Sequence, residues 1–166
     1  MNYSDFTFFW GHKEDSVHPE CSQFYKSPFI IDRIEFNCTE QWMHWKKAVI
    51  FGDQEIAQKI LLAKSPFDQK KLGREVSNFN ASLWSAVSVD IVFRGNIEKF
   101  SQNPELLKRL SLSQGTLLVE ASPYDKIWGI GLDASDPKAL HKDQWQGQNL
   151  LGNIVTRVRD VLCGVI

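Results

Sequence analysis

Cysteine is scarce in this chain. Cys21, Cys38 and Cys163 are the only three, and no two of them form a CxxC pair. That excludes a zinc ribbon and a redox dithiol. His12, His18, His44 and His141 show no HExxH-type spacing, so no metal site is read from the sequence and no cofactor is implied. Excess charge is also missing: the net charge is -1, which removes any bulk electrostatic drive toward nucleic acid or a membrane surface. A local basic groove stays open. The amino end, Met1-Asn-Tyr-Ser-Asp5, has no basic start and no long apolar run, so it does not read as a signal peptide. No segment approaches the apolar length of a membrane span. A reducing cytoplasm is the expected setting. No internal repeat, low-complexity tract or linker composition interrupts the chain, and nothing in the pattern sets an oligomeric state.

What is present suits a soluble globular protein. The chain has 166 residues, 43% apolar and 23% charged, which is enough for one domain with a proper core, spanning 1–166. Six tryptophans and eleven phenylalanines are many for this length. Some are expected in the core and some along a pocket for a flat ligand.

The stretch Glu120-Ala-Ser-Pro-Tyr-Asp-Lys-Ile-Trp-Gly-Ile-Gly131 organises the rest. An apolar run from Thr116 to Glu120 reads as a short buried strand, and Ser122-Pro123 stops it. Glu120 and Asp125 then bring two carboxylates close together. Trp128 supplies a flat apolar surface, and Gly129 and Gly131 permit close approach of a backbone or a ligand. This pattern builds a site at the end of a sheet. The competing reading is a tight turn with a packed tryptophan.

Taken in order, Phe6 to Trp10 reads as a strand closed by Gly11, followed by a polar loop to Glu20. Phe29-Ile-Ile and Ile34-Glu-Phe flank Asp32-Arg33, which suggests a hairpin, although arginine is a poor turn residue. Thr39 is the expected N-cap of a helix from Glu40 to about Phe51, ended by Gly52. Glu40, His44 and Lys47 fall on one stripe of it, and Trp42, Trp45 and Val49 on another. The competing reading of the charged stripe is a solvated face. Asp53 caps a second helix, and Ser65-Pro66 opens a third that Gly73-Arg74 should interrupt. A long core helix, capped by Asn80, runs from Ala81 to Phe100 with Leu83, Trp84, Val87 and Ile91 near one face. Asn103-Pro104 and Asp136-Pro137 start short helical pieces. The tail helix begins near Asn149, with Leu151, Ile154, Val158 and Val161 at helical steps. Its start, with Asn149 and Gly152, offers free amides for a phosphate or hydroxyl. Equally, Gly152 could simply pack against a neighbour.

Seven pieces occur in one order: Phe9-Trp10-Gly11, Phe24-Tyr25-x-Ser27-Pro28-Phe29, Glu40-Gln41, Lys47-Ala48, Gly73-Arg74, the Glu120-to-Gly131 stretch, and Trp145-x-Gly147-x-Asn149-x-Leu151-Gly152. The ordered set resembles the YbiA-like (NADAR) family over nearly the whole chain. Asp32-Arg33, where a turn glycine is common, and the amino-terminal aromatic strand depart from the family pattern. The resemblance implies an α+β fold, a single compact helix-rich domain with a small β-sheet. It also implies cleavage of an N-glycosidic bond between a ribose and a nitrogenous base. Two substrate classes go with it: riboflavin-pathway intermediates carrying ribose 5-phosphate, and ADP-ribose attached to guanine in DNA or RNA.

Breaking a ribosyl C–N bond builds oxocarbenium character and requires protonation of the leaving base. Within that resemblance, Glu40, Lys47 and Asp125 are the expected catalytic residues. A partly buried Lys47, beside Trp45 and Trp128, would have a lowered pKa and could attack the anomeric carbon. Glu40 could move the proton, and Asp125 could bind ribose hydroxyls or stabilise positive charge. Spacing leaves nucleophile and acid undivided among them. Trp10, Gly11, Arg74, Glu120, Trp128, Gly129, Gly131, Asn149 and Gly152 are the expected substrate-binding residues: Trp128 by stacking, Arg74 by pairing with a phosphate, and the glycines and Asn149 through backbone amides. The lysine-bearing helix and the acidic turn are expected to serve one pocket. The partner is a small ribosyl-phosphate or ADP-ribosyl molecule, with ADP-ribosylated nucleic acid as the larger form and no membrane. A non-catalytic ADP-ribose- or NAD-binding module is the alternative function.

Overall fold

A computed structural model describes residues 5–165. The amino-terminal reading against a leader peptide rests mostly on residues outside that range. Among the described residues helices dominate, accompanied by two separate two-stranded sheets. Contacts divide the chain into two units: one runs up to Tyr25 and resumes at Pro104, the other is Lys26–Asn103.

In the first unit, β1 (Phe6–Phe9) pairs in parallel with β4 (Leu117–Glu120), Phe6 opposite Leu117 and Phe9 opposite Glu120. Leu118 and Val119 are fully buried, as an all-apolar strand requires. Among the described residues no third strand covers the far edge of β4. Helix α6 (Leu150–Leu162) covers it with side chains. The Leu118 amide donates to Thr156 Oγ1 at 2.9 Å, the Leu118 carbonyl accepts from Asn149 Nδ2 at 3.0 Å, and the Glu120 amide donates to Asn149 Oδ1 at 2.9 Å. Those side chains satisfy backbone groups that water would otherwise have to reach. Leu151, Ile154 and Val158 are buried as the helical period predicts, while Val161 is 40% exposed. Helix α5 (Pro104–Ser111) is tied to a 3₁₀ turn at Pro19–Cys21, because Arg109 Nη2 lies 2.9 Å from the buried Glu20 carboxylate.

In the second unit, β2 (Phe29–Ile31) and β3 (Ile34–Phe36) form the expected hairpin. Asp32 (φ 51°) and Arg33 (φ 68°) both take the left-handed backbone that a two-residue hairpin turn needs. Helices α1 (Thr39–Ile50), α2 (Gln54–Leu62), α3 (Pro66–Arg74) and α4 (Ala81–Gln102) complete it. Asp53, Ser65 and Asn80 cap α2, α3 and α4 through their side chains, as read from the sequence. The start of α1 differs. Cys38 is the N-cap and makes no side-chain cap, so Thr39 lies inside the first turn. The Cys38 thiol instead donates to Gln69 Oε1 at 3.2 Å, and burial pushes it up to about 11. Helix α3 also differs, because it continues through Gly73 and Arg74. Helices α1 and α4 meet at Gly95, where a Cβ would stand 2.4 Å from Trp42 Cδ1. The Trp42 indole donates to the Ile91 carbonyl at 2.8 Å. No helix among the described residues is long and apolar enough to cross a membrane.

Candidate functional site

Helix α1 carries the charged stripe, and two of its members are not solvated. Glu40 is 4% exposed and His44 is 7% exposed. His44 Nε2 sits 2.9 Å from Glu40 Oε1, four residues apart on one face. One turn further, Lys47 is half-buried. Its Nζ donates to the Gly73 carbonyl at 2.7 Å and lies 4.3 Å from the Phe79 ring centre and 5.9 Å from that of Trp84. Desolvation, then the Arg74 charge nearby, hold its pKa below the ordinary lysine value. The rings over the amine within this unit are thus Phe79 and Trp84. Trp45 packs instead on Phe36 and Trp42. Phe79 escaped the sequence reading because it stands among polar residues with no period to mark it. Trp84 was placed on the core face of α4, and it does pack there in part. Arg74 is exposed at the end of α3.

In the other unit, the strand end and the turn after β4 form a loop closed on itself. The Ile130 amide donates to the Glu120 carbonyl at 2.9 Å, and that of Gly131 to the Asp125 carbonyl at 3.1 Å. Asp125 Oδ1 accepts from the amides of Ile127 (2.9 Å) and Trp128 (2.8 Å). Such an Asx turn is why an aspartate suits this position. Trp128, Asp125 and Glu120 are each half-buried. Gly129 and Gly131 do permit close approach, and the nearest atoms belong to this chain: a Cβ on Gly129 would stand 2.9 Å from the Glu120 carbonyl.

The start of α6 is occupied in the same manner. The amides of Asn149, Leu150 and Leu151 donate to the carbonyls of Gly129, Ile127 and Trp128. A Cβ on Gly152 would fall 2.2 Å from the Leu118 carbonyl. Asn149 is fully buried against β4. These hydrogen bonds turn the expected anion-binding amides inward, and Asn149 and Gly152 hold the loop and the strand edge. Gly11 (φ 89°) closes β1 beside Ser16, after Trp10, which is 45% exposed and 6.1 Å from the ring of Tyr124. Tyr124, 86% exposed, carried no signal in the sequence beyond its place in the turn. Among the described residues, no three His, Cys, Asp or Glu side chains gather as metal ligands would.

A helix-rich α+β fold with a buried carboxylate–imidazole pair and a desolvated lysine on one helix defines the class. The family described as "NADAR domain" matches residues 8–163, and the chain belongs to that family. The chain is 43% identical to "Protein irg-1" of Caenorhabditis elegans over 78% of this chain and 62% of that protein. It is 44% identical to "N-glycosidase R617" of Acanthamoeba polyphaga mimivirus, over 76% and 74%. It is 32% identical to "Riboflavin biosynthesis protein PYRR, chloroplastic" of Zea mays, over 68% of this chain and 17% of that protein. The chain thus spans less than two thirds of the length of some of these relatives. Its fold is that of the NMR structure of E. coli YbiA, with a TM-score of 0.79, 22% identity, and coverage of 99% of this chain and 89% of that one.

Proposed function

We propose that the chain is an N-glycosidase that cleaves the bond between the anomeric carbon of a ribose phosphate and a nitrogenous base. The observation that carries this reading is the state of Lys47, an amine half-buried between Phe79 and Trp84 with its pKa lowered. Such an amine gives up its proton more readily than an ordinary lysine, and its neutral form is the nucleophile. Glu40, on the same helix, supplies a carboxyl group already hydrogen-bonded to His44. Relatives named as N-glycosidases support the reaction class.

In the proposed reaction the neutral Lys47 nitrogen attacks the anomeric carbon while the C–N bond to the base breaks. The proton displaced from the lysine nitrogen passes through Glu40 to the departing base. Ring opening leaves an imine on Lys47. Water then hydrolyses it, freeing the sugar and regenerating the amine. Arg74 is assigned to a phosphate. Near-neutral net charge and relatives named for riboflavin biosynthesis favour a small ribosyl-phosphate metabolite over a nucleic-acid-borne ADP-ribose.

The test incubates the protein separately with riboflavin-pathway intermediates and with guanine-ADP-ribosylated DNA, and follows released base by mass spectrometry. Lys47→Ala and Glu40→Gln are expected to lose turnover, and borohydride added during turnover should leave a sugar adduct on Lys47. Full turnover in both variants would reject the assigned roles. Binding of ADP-ribose with no base released would favour a non-catalytic module.

A further inference from the structure

We infer that His44 and Gly73 are positioning residues that orient the Glu40 carboxyl for proton transfer and fix the Lys47 amine from the same point. The inference rests on the proposed roles of Glu40 and Lys47. It starts from the two ring nitrogens of His44. Nε2 faces Glu40 Oε1 at 2.9 Å. Nδ1 is buried, with no hydrogen-bond partner among the described residues. What it faces is Gly73: a Cβ built there would stand 2.0 Å from Nδ1 and 2.4 Å from Cγ.

A proton on Nδ1 would bury a donor against a backbone carbon, and a buried donor without an acceptor loses its whole hydration. The ring therefore carries its hydrogen on Nε2, where the carboxylate accepts it. The Glu40 oxygen that accepts this bond is held in place by the ring N–H. Glu40 is then oriented for the proton transfer, a role that spacing alone left undivided among Glu40, Lys47 and Asp125.

Gly73 serves both groups. Its missing side chain makes room for the imidazole, and its carbonyl accepts the Lys47 ammonium at 2.7 Å. That carbonyl is free to do so because it lies in the last turn of α3, where helical acceptors have no intrahelical donor. A glycine inside a helix is unfavourable by intrinsic propensity. Here the clearance for His44 accounts for it.

The experiment compares His44→Leu, His44→Gln and Gly73→Ala with the parent chain, using the substrate turned over in the assay above. Loss of the carboxylate's donor should lower kcat by about 10-fold or more with KM little changed, because the bond acts in proton transfer rather than binding. His44→Gln restores a side-chain N–H and should recover most of the loss. Gly73→Ala should lower kcat by displacing the ring. Circular-dichroism melting checks that each variant folds, and if Gly73→Ala does not, the Leu and Gln pair decides. Independently of turnover, the imidazole nitrogen shifts of isotope-labelled protein should show hydrogen on Nε2. Parent-level kcat in His44→Leu, or hydrogen on Nδ1, overturns the inference. If Lys47→Ala and Glu40→Gln also keep full turnover, the assigned roles fail; if they lose it while His44→Leu keeps it, only this inference fails.

Discussion

Lys47 has two rings and a carbonyl around its amine, and that environment decides how it titrates. Burial removes water from the ammonium and Arg74 repels it, so the pKa lies below the ordinary 10.5. The neutral form is therefore favoured by folding. Protein stability should rise as pH climbs through the lowered pKa toward that of the unfolded lysine, and not beyond it. Amine labelling followed by peptide mass spectrometry reads the same quantity. The labelling rate of Lys47 should level off at a lower pH in the folded protein than in the unfolded chain. Arg74→Gln removes the smaller of the two causes and should move that midpoint part of the way up. A midpoint identical in folded and unfolded protein would leave Lys47 an ordinary surface amine. The stripe Glu40–His44–Lys47 was legible from the helical period alone. Its burial was not, because that depends on Phe79 and Gly73, which are distant in sequence.

At the scale of elements, the start of α6 and the edge of β4 depend on one side chain. Asn149 is fully buried, sits in the left-handed region at φ 54°, and bonds the strand through both side-chain atoms. Asn149→Ala removes both partners and keeps the strained backbone. It should cost about 2–4 kcal/mol, from two buried groups left unsatisfied. Asn149→Gly loses the same bonds but relieves the backbone, and should be about 1 kcal/mol less damaging. Urea denaturation of the two variants against the parent chain measures both numbers. Equal losses would remove the backbone part of the account. The helix caps at Asp53, Ser65 and Asn80 were readable because they are local chemistry. Gly73 was misread as a break because the reason for a helical glycine lies on another helix. The amides of α6 looked available for the matching reason: the carbonyls that occupy them belong to residues 127–129, some twenty positions earlier.

For the whole molecule, net charge is the quantity that bears on substrate. The ordered motifs made the family legible, and its match runs across both contact units. Charge balance was legible too, but the location of each charge depends on tertiary structure. With a net charge of -1, the chain has no surplus of cations to neutralise a phosphate backbone. A small substrate with one or two phosphates would engage few cations, such as Arg74. Its kcat/KM should then change by about 4-fold for one phosphate contact and by no more than about 12-fold for two between 50 and 200 mM salt, since roughly one ion is released per phosphate contact. A modified base carried on a strand would engage several phosphates, and kcat/KM would fall by about 100-fold or more over that range. Measuring kcat/KM for both substrate classes across the salt series separates the two. A steep salt dependence with strong turnover of ADP-ribosylated DNA would overturn the small-metabolite assignment and leave the N-glycosidase reading intact. It would also mean that a local cluster, such as Lys70, Lys71 and Arg74, outweighs the molecule's balance of charge.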